Sequence, residues 1–504
     1  MVNQEKRPSL LTNALSNWTA LAITVVVGLF LTPYIIGYLG KTGYGIWVLI
    51  SSIIGYYGIL DLGVTSAITR YVARYAGQKD YKSLNGTINT SLVMFCVIGF
   101  IVVVASFALA GPMSSFFNVS TDQIVKFRQT VWLLGLAVGV GFLGNLFGAV
   151  IKAHERFVAA NLVIIFITLI RTSLIVLLLS RGFGLVGVAC SHLLTTIFMI
   201  ILNFALCKLL FSHFELQLRS ARWNILRTLL GFGAATSVAS IAGIMRFNLD
   251  SFVIGKWINI PAIAVYGVAA LLIRFFMQFI GSGTVTVLTP RFSALDGEGD
   301  KTQLQKLFLK SLSVAAFLSF GVGTLIIILG RRFIVLWVGA EFLEAVPVLL
   351  VLTVSYSIAL AQTPGISLVY ALKKHHLFAG ACVVEGIANV VLSIYLAPRY
   401  GILGVAIGTA APMLVIKLFV QPIYVSRIIG ISLMRYWSQL LPALGLAMGV
   451  FMVGRYAPSI KFIGNGYISL AAYSLSYAGI FLLGYVLVNI ITGQKDIQES
   501  ANQA

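Results

Sequence analysis

Apolar runs of about 17–25 residues, long enough to cross a bilayer as a helix, recur about fourteen times along this chain, near 12–38, 43–66, 87–110, 128–151, 157–180, 183–209, 226–257, 262–287, 308–329, 344–371, 377–397, 401–426, 435–455 and 467–491. The polar stretches between them are all shorter than about 20 residues, which leaves no room for a soluble domain. Barrel strands would instead alternate polar and apolar residues over about ten positions. The expected fold class is therefore an all-α polytopic membrane protein. Composition agrees: 59% of the residues are hydrophobic and 10% charged, against about 25% charged in soluble proteins. The polar leader 1–9 runs into a helix longer than a signal h-region and has no A-x-A site, so no cleavable signal peptide is expected.

Lysine and arginine collect in cytoplasmic loops and so test the topology. With the N-terminus inside, inner segments hold 21 of the 35 basic residues, outer segments 10, and four remain within helices. This bias predicts that both termini are cytoplasmic. The formal charge of +20 is spread over every inner loop rather than gathered in one stripe, so it reads as topology and contact with membrane lipids of anionic charge, with no nucleic acid as partner. Cys96, Cys190, Cys207 and Cys382 show no C-x-x-C spacing and read as small packing residues.

Three short patterns recur in order at nearly constant offset. Tyr44-Gly45 is matched by Tyr266-Gly267, Lys152-Ala-His154-Glu-Arg156-Phe157 by Lys373-Lys-His375-His376-Leu-Phe378, and Gly184-Leu-Val-Gly187-Val-Ala189 by Gly401-Ile-Leu-Gly404-Val-Ala406. Duplicated halves are common in transporter folds. The expected organisation is an N-terminal lobe over 1–209, a cytoplasmic linker over 210–225, a C-terminal lobe over 226–427, and two further helices with a cytoplasmic tail over 428–504. Apolar Phe211, Phe214, Leu216, Leu218 and Trp223 among polar neighbours suit either an amphipathic linker at the membrane surface or a plain connecting loop.

Leu15-Ser-Asn-Trp18, Pro33-Tyr-Ile-Ile-Gly-Tyr-Leu-Gly40-Lys-Thr-Gly-Tyr-Gly-Ile-Trp47 and Asp61-Leu-Gly-Val-Thr-Ser-Ala-Ile-Thr-Arg70-Tyr-Val-Ala-Arg74 together resemble the polysaccharide transporters, or oligosaccharide flippases, of the multidrug/oligosaccharidyl-lipid/polysaccharide exporter superfamily. The resemblance implies a MATE-like fold of two six-helix bundles around a cavity, alternating access, and an inner-membrane location. It implies a polyprenyl-pyrophosphate-linked oligosaccharide as cargo, with polysaccharide polymerase and glycosyltransferase machinery as partners. Many members have twelve helices, and the extra C-terminal pair resembles the peptidoglycan-precursor flippase branch.

Seven charges fall within spans, at roughly 2.5–3.5 kcal/mol each if they faced lipid. They must face a wet cavity or one another. Arg171, Arg246, Arg274 and Lys417 are candidates for a cationic substrate site, because guanidinium forks and a lysine point charge suit pyrophosphate oxygens. Against that, Arg246 and Asp250 at i+4 can neutralise each other, and Lys417 can snorkel inward. Glu385, Asp250 and Asp61 are candidates for ion coupling, to a proton or sodium ion, or for charge pairing; Asp61 can equally serve as a cap or pair with Arg70 or Arg74. Tyr56 and Tyr57 are candidates for stacking on sugar rings. Pro33, Pro364, Pro412 and Gly281-Ser-Gly283 permit kinks in spans that line a moving cavity.

No Gly-x-x-x-x-Gly-Lys-Ser/Thr occurs, no cofactor is expected, and no His-Glu-x-x-His suggests a metal. A multidrug antiporter of the same superfamily would want an anionic cavity for cationic drugs. A sugar polymerase or ligase would want an external catalytic loop, yet the longest outer segment, 111–127, holds Asp122 as its one acid and no histidine. The expectation is a transporter and not an enzyme.

Overall fold

The computed structural model describes residues 10–211, 213–217, 221–374, 376–456 and 466–502. Side chains over 234–247 and 282–287, inside helices, also lie outside the described set. The chain divides into two compact units, Met1–Ala264 and Val265–Ala504.

The first unit contains α1 (Leu10–Gly55), α2 (Val64–Gly77), α3 (Tyr81–Phe116), α4 (Ile124–Ala153), α5 (Phe157–Ser180), α6 (Gly184–Leu210) and α7 (Trp223–Trp257). Helix α8 (Ile260–Glu298) crosses the boundary between the units. The second unit continues with α9 (Lys301–Val338), α10 (Ala345–Ala361), α11 (Thr363–Ala371), α12 (His376–Val415), α13 (Gln421–Ile429), α14 (Leu433–Trp437), α15 (Leu441–Tyr456) and α16 (Tyr467–Asn502). No strand occurs among the described residues, as expected where every backbone group must be satisfied within the bilayer.

Ten described helices are long and apolar enough to span a membrane, or eleven when α10 and α11, bent by 40° across Gln362, count as one broken span. Fourteen were expected. Two of the ten, Leu15–Asp61 with 47 residues and Leu377–Ile429 with 53, are each about twice what one crossing needs. Each contains a non-helical glycine, Gly40 in α1 and Gly401 in α12, where two spans abut. The expected run at 226–257 coincides with α7, whose central side chains lie outside the described residues. Helix α7 packs on α1, α2 and α3.

The repeated motifs mark repeated structure. Gly184 and Gly401 both take positive φ, 52° and 58°, a region nearly closed to residues with a Cβ. Three residues on, a Cβ at Gly187 would press on Leu178 at 3.1 Å, and one at Gly404 on the backbone of Leu396 at 2.7 Å. Each motif thus starts a helix and seats it tightly on the one before. A further pair appears at the caps: Asp80 accepts from the Ser83 N–H at 3.0 Å to start α3, and Asp300 accepts from the Gln303 N–H at 2.9 Å to start α9. The two Ncap carboxylates each satisfy an otherwise orphaned helix donor.

In the first unit, α3 and α4 cross glycine to glycine. A Cβ on either Gly99 or Gly139 would strike the carbonyl of the other, the close approach that small residues allow where helices pack without water. Around this crossing lies a core of Phe95, Phe142, Leu146 and Phe147. The second unit's core gathers Phe292, Phe308, Leu312 and Tyr436. Phe30, Phe100, Leu162, Phe198 and Leu482 are exposed, as suits a surface facing acyl chains rather than water.

Residues 213–217 of the linker lie outside any helix and are bound along α3 as a strap. The Asn85 carboxamide donates to His213 O (2.8 Å) and accepts from the Glu215 N–H (3.2 Å). Asn89, one turn along α3, donates to Glu215 O (3.1 Å) and accepts from the Gln217 N–H (2.8 Å). Four helical residues rise about 6 Å and two extended residues about 6.6 Å, so the two asparagines mimic the peptide groups of a neighbouring strand. Phe214 is buried beside Phe147 and Phe204, while Leu216 and Trp223 are exposed. Leu218 lies outside the described residues.

Candidate functional site

A cavity of about 660 Å³ opens in the first unit, walled by α1, α4 and α6 and by the turn from α1 into α2. That turn is a 3₁₀ segment, Tyr56–Asp61, ended by Leu62 and Gly63 in left-handed conformation (φ 49° and 68°). The reversal leaves Asp61 at the cavity wall, where its Oδ1 accepts from the Thr65 hydroxyl at 2.5 Å. Trp47, Ser51, Thr65, Phe142, Asn145, His192 and Thr196 supply the rest of the polar and aromatic lining, and Ile54, Leu134, Val138 and Met199 are among its apolar residues. The Trp47 and His192 rings meet at 5.1 Å between centroids, inclined by 46°. Among the described residues the lining has no lysine or arginine.

Of the candidate charged and tyrosine residues of the first unit, among those whose side chains are described, Asp61 lines this cavity. Arg171, on α5, is half-buried and donates from Nε to the Thr195 hydroxyl at 3.1 Å. Asp250 is buried on α7, next to Ser251, whose hydroxyl receives a 3.0 Å bond from Ser52 of α1. Tyr57 and Ser106 hydroxyls lie 3.1 Å apart, and Tyr56 is half-buried. The Arg246 side chain lies outside the described residues. Sequence reading placed Trp47 in the aromatic first hairpin without assigning it to a site, and passed over Asn145 and His192; the signal available was a lone amide or imidazole within an otherwise apolar span.

In the second unit the polar groups are packed against one another. Lys417 is 3% exposed and sits in a π-helical turn, Ile416–Val420. Pro422 has no N–H for the carbonyl four residues back, and the ladder slips to the wider register, with Gln421 N–H bonding Ile416 O. The Lys417 ammonium donates to Gln421 Oε1 at 2.6 Å and lies 5.3 Å over the Phe378 ring. Gln421 Nε2 donates to Gln362 O at 2.8 Å, and the Tyr436 hydroxyl donates to Gln362 Oε1 at 2.9 Å. Gln362 is also the bend between α10 and α11, with Pro364 opening α11.

Glu385 is buried on α12, in helical register with Asn389 and Ser393. Asn389 donates to the Thr409 hydroxyl at 3.2 Å and accepts from Ser393 at 3.1 Å, joining the two halves of α12 across Gly401. Arg274 is exposed on α8. The expected kink at Gly281–Gly283 falls within continuous α8 helix, and Pro33 lies inside α1, which breaks instead at Gly40. No group of three His, Cys, Asp or Glu suited to a metal ion occurs among the described residues.

The fold defines a class: an all-α, multi-pass membrane protein with the architecture of the exporter superfamily that the first 75 residues resemble. An inward-facing multidrug-resistance MATE transporter matches with a TM-score of 0.71 at 14% identity, over 83% of this chain and 98% of its own. The lipid II flippase MurJ, in an inward closed conformation, matches with a TM-score of 0.72 at 14% identity, over 97% of this chain and all of its own. The chain belongs to the polysaccharide biosynthesis protein family, whose model matches residues 22–347. Similar proteins include the membrane protein EpsK of Bacillus subtilis, 22% identical over 83% of each chain, and a putative O-antigen transporter of Shigella flexneri, 21% identical over 82% of this chain and 98% of its own.

Proposed function

We propose that this protein is a flippase that carries a polyprenyl-pyrophosphate-linked oligosaccharide, a repeat unit of O-antigen, capsule or exopolysaccharide, from the cytoplasmic to the outer leaflet of the bacterial inner membrane. The observation that carries this reading is a large cavity, mostly apolar with several polar side chains in its lining, among spans of a polysaccharide biosynthesis family member. The resemblance to a putative O-antigen transporter and to a lipid II flippase supports it. Both termini face the cytoplasm, two six-helix lobes alternate access, and polysaccharide polymerase and glycosyltransferases act on either side of the step.

Arg274, exposed on α8, is assigned to the pyrophosphate, with Arg246 and Arg171 as further cations on the route. Lys417 is buried and hydrogen-bonded, so its contact with cargo requires the π turn to open. An inside-negative potential favours anion exit by roughly 2.3 kcal/mol per charge per 100 mV, and a proton or sodium ion at Asp61, Asp250 or Glu385 adds to that drive.

Complementation of a flippase-deficient bacterial strain tests the reading. Surface polysaccharide should return with the wild type and fall at least tenfold with Arg274→Ala at matched expression. Failure in several sugar backgrounds, together with raised drug resistance, would turn the assignment to a multidrug antiporter.

A further inference from the structure

We infer that the cavity of the first unit is the saccharide subsite: it holds neutral sugar rings of the cargo, while the pyrophosphate is bound elsewhere. The inference rests on the flippase reading and assigns one part of the cargo to one set of residues.

Size argues first. About 660 Å³ falls within the roughly 300–1,000 Å³ of organic-ligand pockets. It is some twenty times the ~30 Å³ that one water occupies in the liquid. A proton or a partly dehydrated cation needs a small part of that space.

Charge argues second. A diphosphate wants guanidinium or ammonium groups, and the lining offers none among the described residues. Arg171 is not among the lining residues, and its Nε is held by Thr195, which is itself fully buried.

Chemistry argues third. Trp47 and His192 form an inclined aromatic corner, and a flat ring with a polar edge suits a pyranose, whose C–H face is apolar and whose rim is hydroxylated. Around that corner stand Asn145, Ser51 and Thr196, which both donate and accept, and Asp61, which accepts from hydroxyls. These donors and acceptors match sugar hydroxyls and would be left unsatisfied by an acyl chain, while the apolar part of the lining, Ile54, Leu134, Val138, Phe142 and Met199, can meet the C–H faces of the rings.

The test uses the purified full-length protein in lipid nanodiscs and two probes: undecaprenyl pyrophosphate alone, and the same lipid carrying one or two neutral hexose or N-acetylhexosamine rings. The wild type should bind a glycosylated probe at least tenfold more tightly than the bare lipid. In Trp47→Ala and in Asn145→Ala that ratio should fall to about one, and Trp47→Phe, which keeps a flat ring, should hold most of it. Asn145→Ala guards against misfolding of the tryptophan variant. Equal binding of bare and glycosylated lipids by the wild type overturns the sugar assignment and leaves the flippase reading standing. Equal losses for both lipids in the variants also overturn it, because the cavity then holds the part they share. Failure of the wild type to bind either lipid overturns the flippase reading, and the sugar assignment with it.

Discussion

The two units place polar side chains of their spans in different settings. In the first, Asp61, Asn145 and His192 border about 660 Å³ of open space. In the second, Lys417, Gln421, Gln362 and Tyr436 form an unbroken chain of hydrogen bonds with Phe378 over the ammonium. Both arrangements answer the same constraint, that a polar group in hydrocarbon needs either water or a partner. A cavity keeps its groups available to a ligand. A closed chain uses them to hold one backbone geometry, here the bend at Gln362 and the π turn at Lys417.

The largest effect that can break this contrast is Gln421→Leu. It strips the carboxamide acceptor from a buried ammonium, and hydrogen bonds to charged groups are worth about 1.5–3 kcal/mol. A loss of about 3 kcal/mol is expected in thermal or denaturant unfolding of the purified protein. Adding Lys417→Met should restore part of it, because the charge that lacked its acceptor is then gone. A Gln421→Leu protein as stable as the wild type would mean that the second unit's polar chain is as open as the first unit's cavity.

Within the first unit the strap supplies the counterpart of that closed chain. Asn85→Ala with Asn89→Ala removes four hydrogen bonds to the strap, and about 2 kcal/mol of local stability at a typical ~0.5–1.5 kcal/mol per bond, discounted for exposure. Hydrogen exchange at residues 213–217 should quicken more than tenfold while α4 and α6 stay protected. Equal protection in both proteins would show that Phe214, not the asparagines, holds the strap.

Asp61→Asn sharpens the comparison from the other side. The amide oxygen can still accept from Thr65, and the cavity can admit water, so unfolding should shift by less than about 1 kcal/mol. A destabilisation as large as that of Gln421→Leu would place Asp61 among structural groups like Lys417.

The smallest effect is a pH dependence at the strap. His154, just past α4, stacks on Phe211 at 3.8 Å and bonds Val150 O through Nδ1 at 2.9 Å. Burial holds its pKa below the ordinary 6.5, and the nearby Arg156 charge pushes the same way. A buried imidazole with a lowered pKa binds protons less readily than the exposed one, so docking is strongest above pH 6.5 and weakens as pH falls below it. Exchange at 211–217 should quicken between pH 7.5 and pH 5.5, and His154→Phe should flatten that slope. An unchanged slope in the variant would show that His154 is not the group that titrates.

Much of the architecture was legible because membranes simplify the reading. Apolar runs marked the helices, and the Gly-Leu-Val-Gly and Gly-Ile-Leu-Gly motifs marked the two tight hairpins that Gly184 and Gly401 begin. The candidate site was less legible. Charge inside a span singled out Asp61 and Lys417 alike, yet one borders the cavity and the other is locked to Gln421. The aromatic wall was sought at Tyr56 and Tyr57, while Trp47 and His192 line the cavity. The strap was also hidden, since Asn85 and Asn89 look like ordinary polar residues at the end of a span until their carboxamides meet the chain from His213 to Gln217.

By itself the sequence determined the solvent and the all-helical class, because both follow from local composition and spacing against a bilayer of set thickness. Tertiary structure alone decided which polar groups face space and which face partners. That depends on rotation about each helix axis and on contacts as distant in sequence as Trp47 and His192 or Gln362 and Gln421. A window of neighbouring residues carries no record of either.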